Sequence, residues 1–122
     1  MGGFLKGLFS RKNRAHAKYL DSQMELARSY LEKGSKNDRQ QACLILEELV
    51  RLEPEFTAAW HWLGSTRLHL DDPSGARVAL EKALKLQPGW TEIQQSMHML
   101  EEVEKLHAVV RRTGSKIITP RR

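Results

Sequence analysis

The chain has 122 residues, 40% apolar and 29% charged, enough for one domain with its own core, and no apolar run approaches the ~20 residues of a membrane-spanning helix. Its one cysteine, Cys43, excludes an internal disulfide and any Cys-Cys zinc or haem motif, which fits a reducing compartment. The net charge of +5 is segregated: residues 1–18 and residues 111–122 each carry five bases and no acid, while the stretch between holds all 15 acids and the other ten bases.

An acidic body with two basic arms is therefore the electrostatic plan. Such arms suit anionic lipid, nucleic acid or an acidic protein, because attraction to negative charge does not by itself choose among them. They also suit plain solubilising ends.

The first arm, residues 1–18, opens Met1-Gly2-Gly3-Phe4-Leu5-Lys6-Gly7-Leu8-Phe9. Lys6 interrupts the apolar part, no base precedes it and no small-x-small cleavage site follows, so the reading is against a secretory signal and for a cytoplasmic protein. Phe4, Leu5, Leu8 and Phe9 stand at i and i+4 spacing, followed by Arg11, Lys12 and Arg14. An apolar patch beside a polybasic stretch is the two-signal arrangement that holds a peripheral protein on a membrane surface. Burying those four side chains contributes up to about 1.5 to 3 kcal/mol each, less the cost of ordering the arm. The competing reading is that they cap the exposed face of the first repeat. Lys6 stands where N-myristoylation expects Ser or Thr, so that modification carries no weight here.

Residues 19–110 are internally repetitive. Ala42-Cys43-Leu44-Ile45-Leu46-Glu47-Glu48-Leu49-Val50-Arg51-Leu52-Glu53-Pro54 aligns with Ala76-Arg77-Val78-Ala79-Leu80-Glu81-Lys82-Ala83-Leu84-Lys85-Leu86-Gln87-Pro88 at a constant offset. That offset is roughly 34 residues, one helix-turn-helix unit stacked on another. Identities fall at Ala42/Ala76, Leu46/Leu80, Glu47/Glu81, Leu52/Leu86 and Pro54/Pro88, where helix packing and termination are decided.

Within residues 57–90 the spacing Trp60-x-x-Leu63-Gly64, then Ala76, Leu80, Ala83 and Pro88, resembles a tetratricopeptide repeat. Arg67 stands where that family usually has Tyr, and Pro73 opens the second helix with Asp72 placed to cap it. Residues 20–56 look like a divergent copy, with Leu26-Ala27 and Tyr30 in the first helix and Ala42, Leu46, Leu49 and Pro54 in the second. Gly34 is expected to end the first helix in a left-handed conformation, and Asp38 with Gln41 resembles a capping box for the second. Thr91 with Gln94 suggests another such box, opening a last helix over 91–110. On that helix Ile93, Met97, Met99, Leu100, Val103, Leu106, His107 and Val110 cover about half the circumference, wider than the ~100° stripe one neighbour needs. Either both preceding helices embrace it or another chain covers part of it. Two repeats and a helix also fall below the roughly three repeats usual for independent stability, which favours a permanent partner or a homo-oligomer.

The resemblance implies an all-α, short α-α superhelix whose first helices line a concave groove. Matched residue by residue, that groove takes Asp21, Met24, Arg28, Leu31 and Glu32 from the first copy. The second copy adds Ala58, His61, Ser65, Leu68 and His69, and the last helix Glu92, Gln95 and Met99. Some family members grip acidic chaperone tails with a lysine and asparagine clamp; Met24, Arg28 and Trp62 occupy those places here, which disfavours that role. Trp60 matches the family's structural tryptophan. Trp62, about 200° around the same helix, is either an interface anchor or packs on the first repeat.

Catalytic chemistry finds no footing. The histidines, His16, His61, His69, His98 and His107, form no metal-ligand spacing, and His61 and His69 lie about 12 Å apart along one helix. Cys43 sits in a packing helix without a base beside it, and no glycine-rich phosphate loop occurs. The sequence therefore reads as a non-catalytic adaptor or accessory subunit of a larger assembly, with no metal and no cofactor, at a membrane's cytoplasmic face. The alternative is a nucleic-acid-associated protein using Arg111, Arg112, Lys116, Arg121 and Arg122, the bases of the 111–122 tail, on phosphates.

Overall fold

The computed structural model describes the backbone of residues 2–114 and the side chains of residues 14–114. Among these residues every regular element is a helix: α1 (Gly2–Lys33), α2 (Lys36–Leu52), α3 (Thr57–His69), α4 (Pro73–Leu86) and α5 (Thr91–Thr113). Each packs on the next, and α3 also touches α5, which is the zigzag of a helical-repeat stack.

Local chemistry sets the breaks. Gly34 ends α1 at φ 79°, the left-handed conformation that favours glycine, with its N–H donating to the Tyr30 carbonyl at 3.1 Å. The cap of α2 differs from the expected Asp38/Gln41 box. Ser35 is the cap, three residues earlier: its Oγ accepts from the Asp38 N–H at 3.0 Å, and Asp38 reaches back to the Ser35 N–H. The shorter Asp side chain closes the same reciprocal pair that Glu or Gln usually does. At α4 the expected cap is in place, Asp72 accepting from the Gly75 N–H at 3.0 Å ahead of Pro73 in the first turn. The Thr91/Gln94 box does not form. Trp90 is the cap residue and bonds through no side chain, Thr91 is already helical, and Gln94 instead donates to the Pro88 carbonyl at 2.8 Å. Helix α5 continues to Thr113 and stops at Gly114, φ 71°.

The repeat offset survives as packing. Ala42 and Ala76, Leu46 and Leu80, Leu49 and Ala83 are all fully buried, whereas Leu44 and Val78, also equivalent, both face solvent. The main core joins Leu20 and Ala27 of α1 to Ala42, Cys43, Leu46, Leu49 and Val50 of α2 and to Ala59 and Leu63 of α3. A second cluster of Ala76, Leu80 and Leu100 ties α4 to α5. Each fully buried leucine contributes about 1.5 to 3 kcal/mol. Alanine or glycine at the contact points lets the helices close up, and Gly64 is the extreme case: a Cβ there would lie 2.5 Å from Leu80 Cγ.

Arg67, in the place of the family's tyrosine, supplies a polar tie instead of an aromatic one. It donates to the Gly75 carbonyl of α4 at 3.1 Å and to Glu47 Oε2 of α2 at 3.0 Å, joining three helices. Trp60 fixes the α2–α3 turn by donating its indole N–H to the Pro54 carbonyl at 2.7 Å.

Two helices overshoot the stack. Helix α1 crosses residue 18 without a break, so the N-terminal arm is the first part of the helix that carries the first repeat. At 1.5 Å per residue, α1 is about 48 Å long and α2 about 26 Å. The contact of His16 Nε2 with Glu53 Oε1 at 3.3 Å marks the level at which α2 ends, and every side chain from Arg14 to Tyr19 is exposed. At the other end of the stack, His107 Nε2 meets Asp71 Oδ1 at 3.2 Å beside the start of α4, so α5 extends past that edge. The basic N-terminus of α1 and the basic last turn of α5, with exposed Arg111 and Arg112, therefore leave from opposite edges.

Candidate functional site

A groove of about 380 Å³ opens between α1, the start of α2 and α3, within the size range of ligand-binding clefts. Arg28 and Leu31 come from α1, Arg39 from α2, and His61, Trp62, Ser65, Thr66 and His69 from α3. The α3 residues share a face because three- and four-residue steps return to one side of a helix. Trp62 is half-buried: it packs against the main core, and it also lines the groove.

The polar wall is ordered by specific bonds. His61 Nε2 lies 3.0 Å from Ser96 Oγ, Ser96 lies 3.3 Å from Ser65 Oγ, and the His61 ring tilts against Trp90 with centroids 5.7 Å apart. These contacts join α5 to the groove. Burial pushes the His61 imidazole below its ordinary pKa, with Glu92 pulling the other way. His69 Nδ1 lies 2.8 Å from the Ser65 carbonyl, an acceptor only, so Nδ1 donates its proton there. Thr66 donates to the Trp62 carbonyl at 2.7 Å. Arg28 pairs with Glu25 at 2.9 Å and Glu32 at 3.2 Å on its own helix.

The remaining residues expected at the groove are dispersed. Asp21 lines a separate depression with His16, Glu53 and Phe56, nearer the N-terminal edge. Met24 packs against the main core, and Leu68 packs against Ala76, Leu80 and Leu100, so Leu68 is a core contact more than a lining one. Glu32 is exposed beside Arg28, and Gln95 and Met99 are exposed on α5. Arg39 and Thr66 were not anticipated. Arg39 belongs to a second helix, outside the set of first helices that the resemblance assigns to the concave face; the early start of α2 at Lys36 brings it to the rim.

On α5 the wide apolar arc divides. Ile93 and Leu100 are fully buried, Met97, Val103, His107 and Val110 half-buried, while Met99 and Leu106 face solvent. The same helix is clamped to α4 by Arg77, which donates to Glu104 through Nε at 2.7 Å and Nη2 at 2.5 Å and to Glu81 through Nη1 at 2.7 Å. The hydrogen bonds from Arg77 hold the Glu104 carboxyl below the usual carboxylate range.

The side chains of Phe4, Leu5, Lys6, Leu8, Phe9, Arg11 and Lys12, and residues Lys116, Arg121 and Arg122, lie outside the described residues; Arg14 is exposed. Among the described residues no group of three His, Cys, Asp or Glu is placed to hold a metal ion, and no helix is long and apolar enough to cross a membrane. Cys43 is a buried packing residue whose thiol is pushed up chiefly by desolvation.

Compared with known families, residues 57–89 match the model of the tetratricopeptide repeat. No curated protein matches the chain.

Proposed function

Because residues 57–89 form a tetratricopeptide repeat, a unit that generally mediates protein–protein contact, we propose that the chain is a non-catalytic adaptor that holds a partner protein in the groove between α1 and α3. The observation that carries this reading is Trp62, anchored in the core on one side and open to the groove on the other. A rigid, partly desolvated aromatic is the usual centre of binding energy at a protein interface, where truncation costs about 2 kcal/mol or more.

Affinity purification with the intact protein and with Trp62→Ala tests this. Loss of the recovered partners with the variant, at unchanged helical circular dichroism, is the expected result. Equal recovery of the same partners removes Trp62 from the interface.

The finer reading places this adaptor at the cytoplasmic face of a membrane. Its support is the α1 backbone, helical back to Gly2, which gives the i and i+4 positions of Phe4, Leu5, Leu8 and Phe9 the periodicity an interfacial helix needs. Arg14 and Lys18, exposed on the same helix, add charge attractive to anionic lipid. The expected result is co-sedimentation with phosphatidylserine-containing vesicles that falls sharply on Phe4→Asp with Leu8→Asp. Unchanged sedimentation would sink the membrane assignment and leave the groove untouched.

A further inference from the structure

Helix α5 is the last layer of the stack. Ser96, Met97, Leu100, Glu104 and His107 attach it to α3, to α4 and to the turn between them. Its outward side carries a second seam. Gln95, Met99, Glu102, Leu106 and Val109 are all exposed, and they follow one another in alternating steps of four and three, the spacing at which one helix meets another in a coiled coil. The apolar members, Met99, Leu106 and Val109, are 51%, 53% and 43% exposed, so each has a large area left for a neighbour. The charges of the helix are segregated along its axis: the carboxylates Glu92, Glu101, Glu102 and Glu104 all precede the bases Lys105, Arg111 and Arg112.

We propose that a second copy of the chain covers this seam, through an antiparallel, two-fold contact of α5 with α5 centred near residue 104. About that point Met99 faces the partner's Val109, and Glu102 faces the partner's Leu106. Both pairs share one midpoint, so a single axis satisfies them, as a self-complementary interface requires. Charge selects the orientation. The antiparallel arrangement sets the acidic first half of each helix beside the basic second half of the other, whereas a parallel one sets acid against acid and base against base. It also brings the partner's Lys105 to the level of Glu102. Lys105 of the same helix already lies 3.5 Å from that carboxylate, so the charge at the middle of the seam stands between two ammonium groups and is not left unpaired. The length of α5 fits the same register. Past His107 the helix runs beyond the edge of its own stack, and there the partner's residues 95–101 lie alongside it, giving the projecting Val109 an apolar neighbour in Met99 of the other copy. The chain's own tail is a poorer cover, since residues 115–122 carry three bases and no acid and would lie along the basic half of α5. An anionic lipid surface meets the Glu102 carboxylate at the centre of the seam.

Light scattering and sedimentation of the full chain over a concentration series test this. The expected result is a mass that rises to twice the 14.0 kDa of one chain. Leu106→Glu should raise the dissociation constant about 30-fold or more at unchanged helical circular dichroism, since each copy loses an apolar contact and sets a second carboxylate opposite Glu102. Glu102→Lys alone should also weaken the dimer, by gathering only ammonium groups at the axis, and the double variant Glu102→Lys with Lys105→Glu should restore it. Orientation is read from a spin label on Gln95→Cys, with the buried Cys43 replaced as Cys43→Ala. The antiparallel pair separates the two labels by about 27 Å or more, from the rise of roughly 18 residues, whereas a parallel pair brings them to about 10 Å. A monomer at every concentration, a dimer indifferent to Leu106→Glu, assemblies larger than two copies or a short label distance each overturn the proposal. A dimer that appears only after deletion of residues 115–122 overturns it as well and names the tail as the cover. All of these outcomes leave the groove between α1 and α3 standing.

Discussion

Gly64→Ala is expected to destabilise the protein, although alanine is the better helix former by about 1 kcal/mol. The new methyl would stand 2.5 Å from Leu80 Cγ, 2.7 Å from Leu80 Cδ2 and 3.3 Å from the Ala76 carbonyl oxygen. Leu80 is fully buried and the Ala76 carbonyl is helix backbone, so neither neighbour has somewhere to go. Overpacking of this kind costs about 1 to 3 kcal/mol, which exceeds the propensity gain, and the helices α3 and α4 must separate to admit the methyl. Leu80→Ala alone removes about 2 to 5 kcal/mol, because it opens a cavity where α3, α4 and α5 meet. The informative variant is the double one. Leu80→Ala clears the atoms that the Gly64 methyl meets, so the two losses should fall short of additive by roughly 0.5 to 3 kcal/mol. Urea unfolding of the four proteins measures this. Additive losses would mean that the α3–α4 contact is not made through Gly64 and Leu80.

That contact was legible in the sequence because Gly64, Ala76, Leu80 and Ala83 lie at distances fixed by helix geometry, and a close crossing leaves little freedom in side-chain size. The turns were less legible for a specific reason. Asp38 and Gln41 have the spacing of a capping box, but α2 starts at Lys36, directly after the left-handed Gly34 and its cap residue Ser35, so Asp38 lies inside the first turn and closes the box from there. Thr91 and Gln94 had the right spacing for a box, but the turn holds the Pro88 carbonyl within reach of Gln94, and that acceptor takes the side chain instead. Arg39 was invisible as a groove residue because the family pattern assigns the concave face to first helices. Its place follows from the tertiary position of the α2 start, which no local pattern encodes. Leu68 failed in the opposite sense: its helical phase is right for the groove, yet α5 packs close enough to draw it into the cluster around Leu100.

Leu100→Ala is expected to release α5 before anything else unfolds. Helix α5 has 23 residues, yet among its described side chains only Ile93 and Leu100 are fully buried. Its attachment also draws on half-buried Met97, the Arg77–Glu104 pair, the His107–Asp71 contact and the serine link from Ser96 to His61 and Ser65. Removing the Leu100 side chain costs about 2 to 5 kcal/mol. In a stack where each helix rests on its neighbours, that loss falls on the terminal element first. Amide exchange in α5 should then accelerate about 30-fold or more, while α1 and α2, whose core does not include Leu100, keep their protection. Equal acceleration in all five helices would show one cooperative unit and overturn the layered account. The same variant carries a functional consequence. Detaching α5 removes Ser96 from His61 and Trp90 from the imidazole face, so the floor of the groove loses its order while Arg39, Trp62 and His69 remain on helices that are still folded. A partner protein anchored on Trp62 should therefore bind Leu100→Ala more weakly than the native protein but better than Trp62→Ala, which separates the groove's scaffold from its anchor in a single titration series.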